Sequence, residues 1–311
     1  MAVLPPDPVF IFKGDMGYIH SLSFLNCEKD HSSTLLVATE AGFVYIWDLE
    51  TNRMKYKQNM GESIQVIHSI DQSILTQEKC GMIKMWSINE SQYESICSYD
   101  CSGGYCKILL LDKSLIVPQE NSSLDMIDFN MKKIANLVPQ DDRLGNCMCL
   151  EKAIINGITY ILAGYESGDV ILFDLKSNKS CSKIKLKECI TSLSYDSVTS
   201  RVIVGNASNM LQLFTIDKSL NMTLKCEISI TNEGCGIVKI RPDKKIFVSG
   251  CWDGKLRLFS WKSLRLLVVL NEHRKTVTDV QFSPNIVNYW KSNIMAASSA
   301  DGSVSLWNLY N

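Results

Sequence analysis

Histidine and cysteine are the side chains of this 311-residue chain that could bind a metal ion or act as nucleophiles. The four histidines are spread along the chain and form no paired metal-binding motif: His20, His31, His68 and His273. Among the 12 cysteines, Cys147 and Cys149 form a Cys-x-Cys pair, but no second Cys or His pair at zinc spacing accompanies them. We therefore expect no metal site.

Other sequence signatures of catalysis are also absent from the chain. It has no Walker A motif, no Gly-x-Gly-x-x-Gly after a strand and no Gly-x-Ser-x-Gly elbow, so neither a phosphate cradle nor an activated serine is indicated. The adjacent carboxylates Asp141 and Asp142 lie in a polar segment that is typical of a turn. The sequence thus predicts a protein that is not an enzyme and binds no cofactor.

The composition argues against nucleic acid and membranes as direct partners. The formal net charge is −1, which is too small for binding to polyanions through bulk electrostatics. No apolar segment reaches the ~18–20 residues of a membrane helix, and residues 1–8 lack the apolar core of a signal peptide. Because the cysteines are scattered through strand-like segments, we expect free thiols in a reducing compartment and a cytoplasmic and nuclear protein.

A repeated pattern indicates how the chain is folded. Similar strand-like segments recur with an aromatic residue at their fifth position: FVYIWDL (43–49), MIKMWSI (82–88), DVILFDL (169–175), MLQLFTI (210–216), KLRLFSW (255–261) and SVSLWNL (303–309). A weaker copy, SLDMIDF (123–129), has Ile127 in the aromatic position and completes seven repeats. At a fixed offset before this position, all repeats have glycine except the fifth, with Asn209, and the third, with Ser122. The offset predicts a tight turn with positive φ, which glycine and asparagine tolerate best.

Further strand-like runs flank each of these segments and give four short strands in each repeat of about 44 residues. Seven such repeats predict an all-β fold, a seven-bladed WD40 β-propeller that forms a single domain over residues 1–311. The last repeat reaches Leu309 without an outer strand, whereas VFIFKG (residues 9–14) forms a spare strand before the first repeat. We expect residues 9–14 to supply the outer strand of the C-terminal blade and so remove its open edge.

WD40 repeats commonly contain a structural hydrogen-bond network of His, Ser or Thr, Asp and Trp, and this chain retains parts of it. The retained members are His273, Asp301 and Trp307 in the seventh blade and Ser249 and Asp253 in the sixth. Ala297 stands where the seventh blade would have a hydroxyl, and Phe259 replaces the tryptophan of the sixth. We interpret the retained residues as a structural network rather than a catalytic set.

Large aromatic residues in predicted loops are candidates for protein contacts, because tyrosine and tryptophan often dominate interface energies. Trp252 immediately precedes the Asp253–Gly254 turn of the sixth repeat. Tyr289 and Trp290 lie in the long loop NIVNYWKSN of the seventh repeat. Packing against a neighbouring loop is the alternative role for each of them. Trp252, Tyr289 and Trp290 are therefore the candidate protein-interaction residues.

Several segments together resemble one family along the whole chain: PPDPVFIFKG with HSLSF, AGYESGDVILFDL, GIVKIRPDKKIFVSGCWDGKLRLFSWKSLRLLVVLNEH and GSVSLWNLY. The sequence resembles the family of guanine nucleotide-binding protein β-subunit-like protein 1, which is related to the fungal ASTRA-associated WD-repeat subunit. The resemblance implies a non-catalytic scaffold that acts with the TTT cochaperone in the maturation and stability of phosphatidylinositol-3-kinase-related kinases, and hence in the DNA-damage response. TTT components and these kinases are the implied partners.

Other functions of a propeller stay open. The three prolines of residues 1–8 lead directly into a strand and leave no heptad region, so a G-protein γ subunit is not an expected partner. Outside its complexes we expect a monomer. The alternatives are a peptide- or histone-reading WD40 module and a ubiquitin-ligase substrate receptor. A propeller enzyme would need a polar cluster with a cofactor in the central channel.

Overall fold

The computed structural model of the chain describes residues 5–25, 31–89, 92–141, 143–232 and 234–309. Within these ranges all regular secondary structure is β-strand, and seven four-stranded sheets form the blades of a β-propeller, which confirms the predicted fold class. The chain divides into two compact units: Met1–Asp100, Trp252–Ser260 and Arg265–Asn311 in the first, Cys101–Cys251 and Trp261–Leu264 in the second. The single domain over residues 1–311 stays a prediction.

The N-terminal strand and the first three blades are formed as follows. The N-terminal strand β1 (Phe10–Phe12) precedes blade one, which consists of β2 (Ile19–Phe24), β3 (Thr34–Thr39), β4 (Phe43–Asp48) and β5 (Arg53–Asn59). Blade two consists of β6 (Ile64–Ile70), β7 (Ser73–Glu78), β8 (Met82–Asn89) and β9 (Gln92–Asp100). Blade three consists of β10 (Leu109–Leu110), β11 (Ser114–Pro118), β12 (Leu124–Asp128) and β13 (Lys133–Leu137). The weak third repeat is therefore a complete blade.

The remaining blades have the same order of strands, except that the last one uses β1. Blade four consists of β14 (Cys147–Ile155), β15 (Ile158–Tyr165), β16 (Asp169–Asp174) and β17 (Lys179–Lys185). Blade five consists of β18 (Ile190–Asp196), β19 (Arg201–Asn206), β20 (Met210–Ile216) and β21 (Met222–Ser229). Blade six consists of β22 (Cys235–Ile240), β23 (Ile246–Cys251), β24 (Leu256–Ser260) and β25 (Leu266–Leu270). Blade seven consists of β26 (Val277–Phe282), β27 (Met295–Ser299), β28 (Val304–Trp307) and β1.

The N-terminal strand closes blade seven, as the sequence predicts. β1 pairs antiparallel with β28, with Phe12 opposite Val304. The Val9 N–H, just before β1, donates to the Leu306 carbonyl at 2.8 Å. Phe12 is 1% exposed, and its ring stacks on Trp47 of blade one with ring centroids 4.4 Å apart. β1 thus covers the edge of β28 and fills the core beside blade one.

The turn between the second and third strands of blade seven requires glycine for two reasons. Gly302 has φ 83°, in the left-handed region that L-residues with a side chain rarely adopt. A Cβ at this position would also lie 2.9 Å from the Gly17 carbonyl oxygen. The glycine offset in the sequence therefore predicts this turn correctly.

In the two repeats without the turn glycine, serine adopts the positive φ and asparagine, which was expected to tolerate it better, does not. Ser122 adopts φ 64°, and its hydroxyl donates to the Gly145 carbonyl at 2.6 Å, which helps to hold the left-handed turn. Asn209, the more tolerant residue, is not in the left-handed region. In that turn the Asn206 carboxamide oxygen accepts hydrogen bonds from the N–H and the hydroxyl of Ser208, at 3.1 and 2.8 Å. These side-chain hydrogen bonds hold the turn without a residue in the left-handed region.

Side chains join the first strands of adjacent blades. In the first unit, Asp279 on β26 accepts from the Leu22 N–H of β2 at 2.9 Å and from the Ser21 hydroxyl at 3.2 Å. Ser21 Oγ in turn accepts from the Ile67 N–H of β6 at 3.3 Å. In the second unit, Ser192 of β18 accepts in the same way from an N–H of β22 at 3.0 Å. The first strand of each blade is an edge strand, so the N–H groups on its outer side have no partner within their own sheet. The side-chain bonds between blades satisfy these donors.

Candidate functional site

Trp252 is an exposed side chain on a fixed backbone. It follows β23, and 45% of its surface is exposed. Its carbonyl oxygen accepts a hydrogen bond from the Thr276 hydroxyl at 3.3 Å. Two residues further on, a Cβ at Gly254 would lie 2.6 Å from the His273 carbonyl oxygen, so the turn lies directly against the segment that leads into β26. A large aromatic side chain on such a turn is well suited to contact a partner with little loss of conformational entropy.

Tyr289 and Trp290 lie in the loop between β26 and β27 and differ in burial. Tyr289 is 59% exposed, whereas Trp290 is partly buried against the core that contains Ile294. The two rings meet edge to face, with centroids 5.1 Å apart. The Val287 N–H donates to the Ser292 carbonyl at 2.9 Å and fixes the loop beneath them. Tyr289 is therefore the accessible member of the pair, and Trp290 holds it in place.

The two groups of aromatic residues do not form one surface. Trp252 contacts Thr276, which immediately precedes β26, whereas the loop with Tyr289 follows the other end of that strand. A strand of this length spans about 20 Å. Trp252 and Tyr289 thus lie at opposite ends of β26 and define two separate candidate contact surfaces.

The network residues of blade seven are brought together by a residue that the sequence analysis missed. The Trp307 indole N–H donates to the Ser305 hydroxyl at 2.7 Å, and Ser305 Oγ lies 2.8 Å from His273 Nε2. On the other side of the imidazole, Nδ1 lies 3.1 Å from Ser303 Oγ and 3.4 Å from an Asp301 oxygen. Ser305 thus takes the place that the sequence analysis assigned to position 297.

The hydrogen bonds fix the tautomer of His273. Ser303 Oγ donates to Asp301 Oδ1 at 2.6 Å, so Ser303 can accept only from a protonated Nδ1. In the neutral imidazole Nε2 then accepts from the Ser305 hydroxyl, and Ser305 accepts from Trp307. Burial acts to raise the pKa of Asp301, but hydrogen bonds from His273, Ser303 and a backbone N–H outweigh it and lower the pKa well below its ordinary value. The network therefore stabilises an ionised Asp301.

Asp301 is expected to make stability fall in acid. Because its pKa is lower in the folded than in the unfolded protein, its contribution is complete above about pH 4 and is lost as the pH falls towards the folded-state value. Asp301→Asn should lower the free energy of unfolding by about 1–2 kcal/mol at pH 7 and by less at pH 3. Urea denaturation at both pH values measures this difference, with the exposed Asp15→Asn as control. An equal loss at the two pH values would contradict the assignment.

The retained residues of blade six have partners outside the expected set. The Arg257 guanidinium donates to both Asp253 oxygens, at 3.1 and 2.7 Å. Burial acts to raise the pKa of Asp253, but the bonds from Arg257 and from a backbone N–H outweigh it and lower the pKa. The Ser249 hydroxyl lies 3.4 Å from Cys251 Sγ. Asp253 is therefore held by an arginine, in the role that His273 has for Asp301.

One sequence position supplies the missing partners in several blades. It lies three residues after the turn glycine, where blade seven has Ser305 and blade six has Arg257. Blade two has Lys84 there, and its ammonium pairs with the buried Glu78 at 2.7 Å. Because the position is on the third strand, close to the turn, its side chain reaches a polar group beside that turn: the His273 imidazole in blade seven, Asp253 in blade six and Glu78 in blade two. This offset is the sequence signal that would have identified the missed residues.

The described ranges contain neither a metal-binding cluster nor a membrane-spanning helix. No group of three or more His, Cys, Asp or Glu side chains among these residues is arranged to hold a metal ion. Across the same residues, no helix has the length and apolarity needed to span a bilayer. The described cysteines are free thiols, and Cys27 lies outside the described residues.

The fold and the repeats define the class of protein. The WD domain, G-beta repeat family (WD40) matches residues 226–260 and 264–308, which include the strands of blade six and of blade seven up to β28. With seven four-stranded blades, the chain is a β-propeller whose sixth and seventh blades match the WD40 repeat. As a class, such propellers act as rigid scaffolds for interactions with other proteins.

Three proteins with similar sequences are known from mouse and from two fission yeasts. The chain is 29% identical over 323 residues to guanine nucleotide-binding protein subunit beta-like protein 1 of Mus musculus, covering 98% of this chain and 97% of that protein. It is 27% identical over 188 residues to ASTRA-associated protein 1 of Schizosaccharomyces japonicus, covering 55% of this chain and 50% of that protein. The Schizosaccharomyces pombe protein of the same name is 37% identical over 73 residues, 24% of this chain and 18% of that protein. The resemblance found in the sequence is confirmed by these similarities.

Proposed function

We propose that this protein is a non-catalytic WD40 adaptor that acts with the TTT cochaperone in the maturation and stability of phosphatidylinositol-3-kinase-related kinases, in cytoplasm and nucleus. The observation that supports it most strongly is the similarity to subunit beta-like protein 1 along 98% of the chain. The similarity to fungal ASTRA-associated protein 1, whose name records an association with ASTRA, points in the same direction.

The two separate aromatic surfaces suit an adaptor, which must hold a cochaperone and a client at once. Trp252 offers a half-exposed indole on a fixed turn, and Tyr289 offers an exposed phenol on a loop fixed by Trp290. Interface energies are concentrated in few residues, and tryptophan and tyrosine are enriched among them. A partner at one end of β26 and a second partner at the other end would use different residues of this protein.

Affinity purification of the tagged full chain from cells tests the proposal. We expect TTT components and the kinases to be recovered with the native sequence. Trp252→Ala and Tyr289→Ala should each reduce recovery of a different partner by about tenfold or more. Val198→Ser, at an 80% exposed turn residue, is the control and should change neither.

The same experiment can overturn the proposal. Recovery of heterotrimeric G-protein subunits alone, without TTT components or the kinases, would contradict it. All variants must keep the melting temperature of the native protein, so that a lost partner reports on the surface and not on unfolding.

A further inference from the structure

The outer strand of blade six is an apolar edge that is open to solvent. β25 lies at the end of its sheet and reads LLVVL, with no polar or charged residue. Leu266 is 50% exposed and Leu267 is 46% exposed. An edge strand presents unpaired N–H and C=O groups, and an exposed apolar edge is a template for pairing with another chain. β25 therefore has the properties of an interaction surface.

The other outer strands are protected against such pairing by charge or by length. β5, β9, β13, β17 and β21 each contain at least one charged residue: Arg53, Lys55 and Lys57; Glu94 and Asp100; Lys133; Lys179, Lys183 and Lys185; Lys225 and Glu227. β1, the outer strand of blade seven, is uncharged but has only three residues. Among the outer strands that the structure describes, β25 is thus the edge without either protection.

The backbone of β25 is available for pairing on its outer side. On its inner side β25 pairs with β24, with Leu266 opposite Phe259. Leu267 is the extra residue of a bulge and has no partner on β24. Within the described ranges, no other segment forms a backbone hydrogen bond with residues 266–270. An extended strand can therefore join this edge as the fifth strand of the sheet.

The charges at the two ends of β25 indicate what joins it. Arg265 immediately precedes the strand, is exposed and forms no ion pair with any described residue. Glu272 follows the strand by two residues, and its ion-pair partner Lys13 is 69% exposed and 3.9 Å away, so this pair is weak. If β25 pairs antiparallel with β25 of a second copy, the end with Arg265 lies beside the end with Glu272 of that copy. Opposite charges on neighbouring strands are stabilising, so the edge is complementary to itself.

We propose that two copies of this protein associate through β25, paired antiparallel about a two-fold axis near Val268. Both copies then use the same residues, as a two-fold interface requires. The exposed leucines become covered, and Arg265 of each copy pairs with Glu272 of the other. One five-residue strand gives an interface at the small end of the size range, so we expect a Kd on the order of 10 µM. The inference is independent of the proposed adaptor function, and it replaces the monomer that the sequence led us to expect.

Sedimentation velocity of the full chain between about 1 and 200 µM tests for the dimer. Leu266→Lys places a charge on the edge, as the other outer strands have, and should weaken the association at least about tenfold. Leu224→Lys is the matched control and should leave the association unchanged. Leu224 is 43% exposed and lies opposite Phe214 in blade five, as Leu266 lies opposite Phe259.

Exchange of the charges at the ends of β25 tests whether the occupant is a second copy. Arg265→Glu and Glu272→Arg should each weaken self-association, because each variant places like charges together at both ends of the interface. An equimolar mixture of the two variants should associate with about the native affinity, since every contact between unlike copies then joins opposite charges.

Four results would overturn the inference. They are a monomer up to about 200 µM, equal weakening by Leu266→Lys and Leu224→Lys, a mixture of the charge variants that associates no better than either alone, and a monomer that loses a cellular partner on Leu266→Lys. The last result would assign the edge to a strand of that partner. Because the substituted leucines and Arg265 are exposed, their variants should keep the native melting temperature, and a loss of association then reports on the edge alone.

Discussion

Deletion of residues 1–14 is expected to destabilise the protein by at least about 5 kcal/mol, comparable with the total stability of many domains. The deletion removes the hydrogen bonds of β1 to β28 and leaves the edge of β28 open. It also removes Phe12, which is 1% exposed and stacked on Trp47. Truncation of one such buried phenylalanine costs about 3–5 kcal/mol.

Chemical and thermal denaturation of three variants separate the causes of this loss. Deletion of residues 1–8 keeps β1 and should leave the stability close to that of the native protein. Phe12→Ala keeps the backbone pairing and should cost about 3–5 kcal/mol. Unchanged melting of the protein without residues 1–14 would show that β1 is dispensable for the fold.

The sequence was sufficient to predict the blades because their signals are local. The turn glycine at position 302 and the aromatic side chain of Trp307 lie on one hairpin, and their spacing follows from the length of that hairpin. Closure by residues 9–14 also followed from counting strands. Such patterns depend on covalent distance along the chain, which the sequence contains directly.

The polar networks were harder to predict because their partners come from a different strand or from an unexpected residue type. Ser305 rather than position 297 supplies the hydroxyl of blade seven, and Arg257 rather than histidine holds Asp253. Any donor with sufficient reach can satisfy a turn carboxylate, so a search for one motif fails when the donor changes. The offset from the turn glycine is more constant than the residue type.

The turn of blade three was not predictable for a related reason. Its Asp125 lies at the same offset after Ser122 that Arg257 has after Gly254, but with the opposite charge. This turn also depends on the left-handed conformation of Ser122, which the residue type does not favour. The aromatic residues were identified from the sequence, but their separation by β26 required the order of strands in space.

Asp279→Ala is expected to destabilise the protein by about 3 kcal/mol or more, because it removes a buried acceptor used by several donors. Asp279 is 2% exposed. Its Oδ2 accepts from Leu22 N–H and the Ser21 hydroxyl, and its Oδ1 accepts from Val280 N–H at 2.8 Å. The alanine variant leaves the buried Leu22 and Val280 donors without an acceptor. Asp279→Asn keeps one acceptor oxygen and should lose less.

A double-mutant cycle tests whether Asp279 and Ser21 form one connected unit. Ser21 links Asp279 of blade seven to the Ile67 N–H of blade two, so its hydroxyl joins three blades through two hydrogen bonds. Directly bonded residues usually show coupling energies of about 0.5–3 kcal/mol. Asp279→Ala and Ser21→Ala should therefore be less than additive, whereas Asp279→Ala and Thr76→Ala, which removes the acceptor of Trp86 Nε1 at 2.8 Å, should be additive. Additive losses for Asp279 and Ser21 would mean that each blade satisfies its own edge donors independently of this relay.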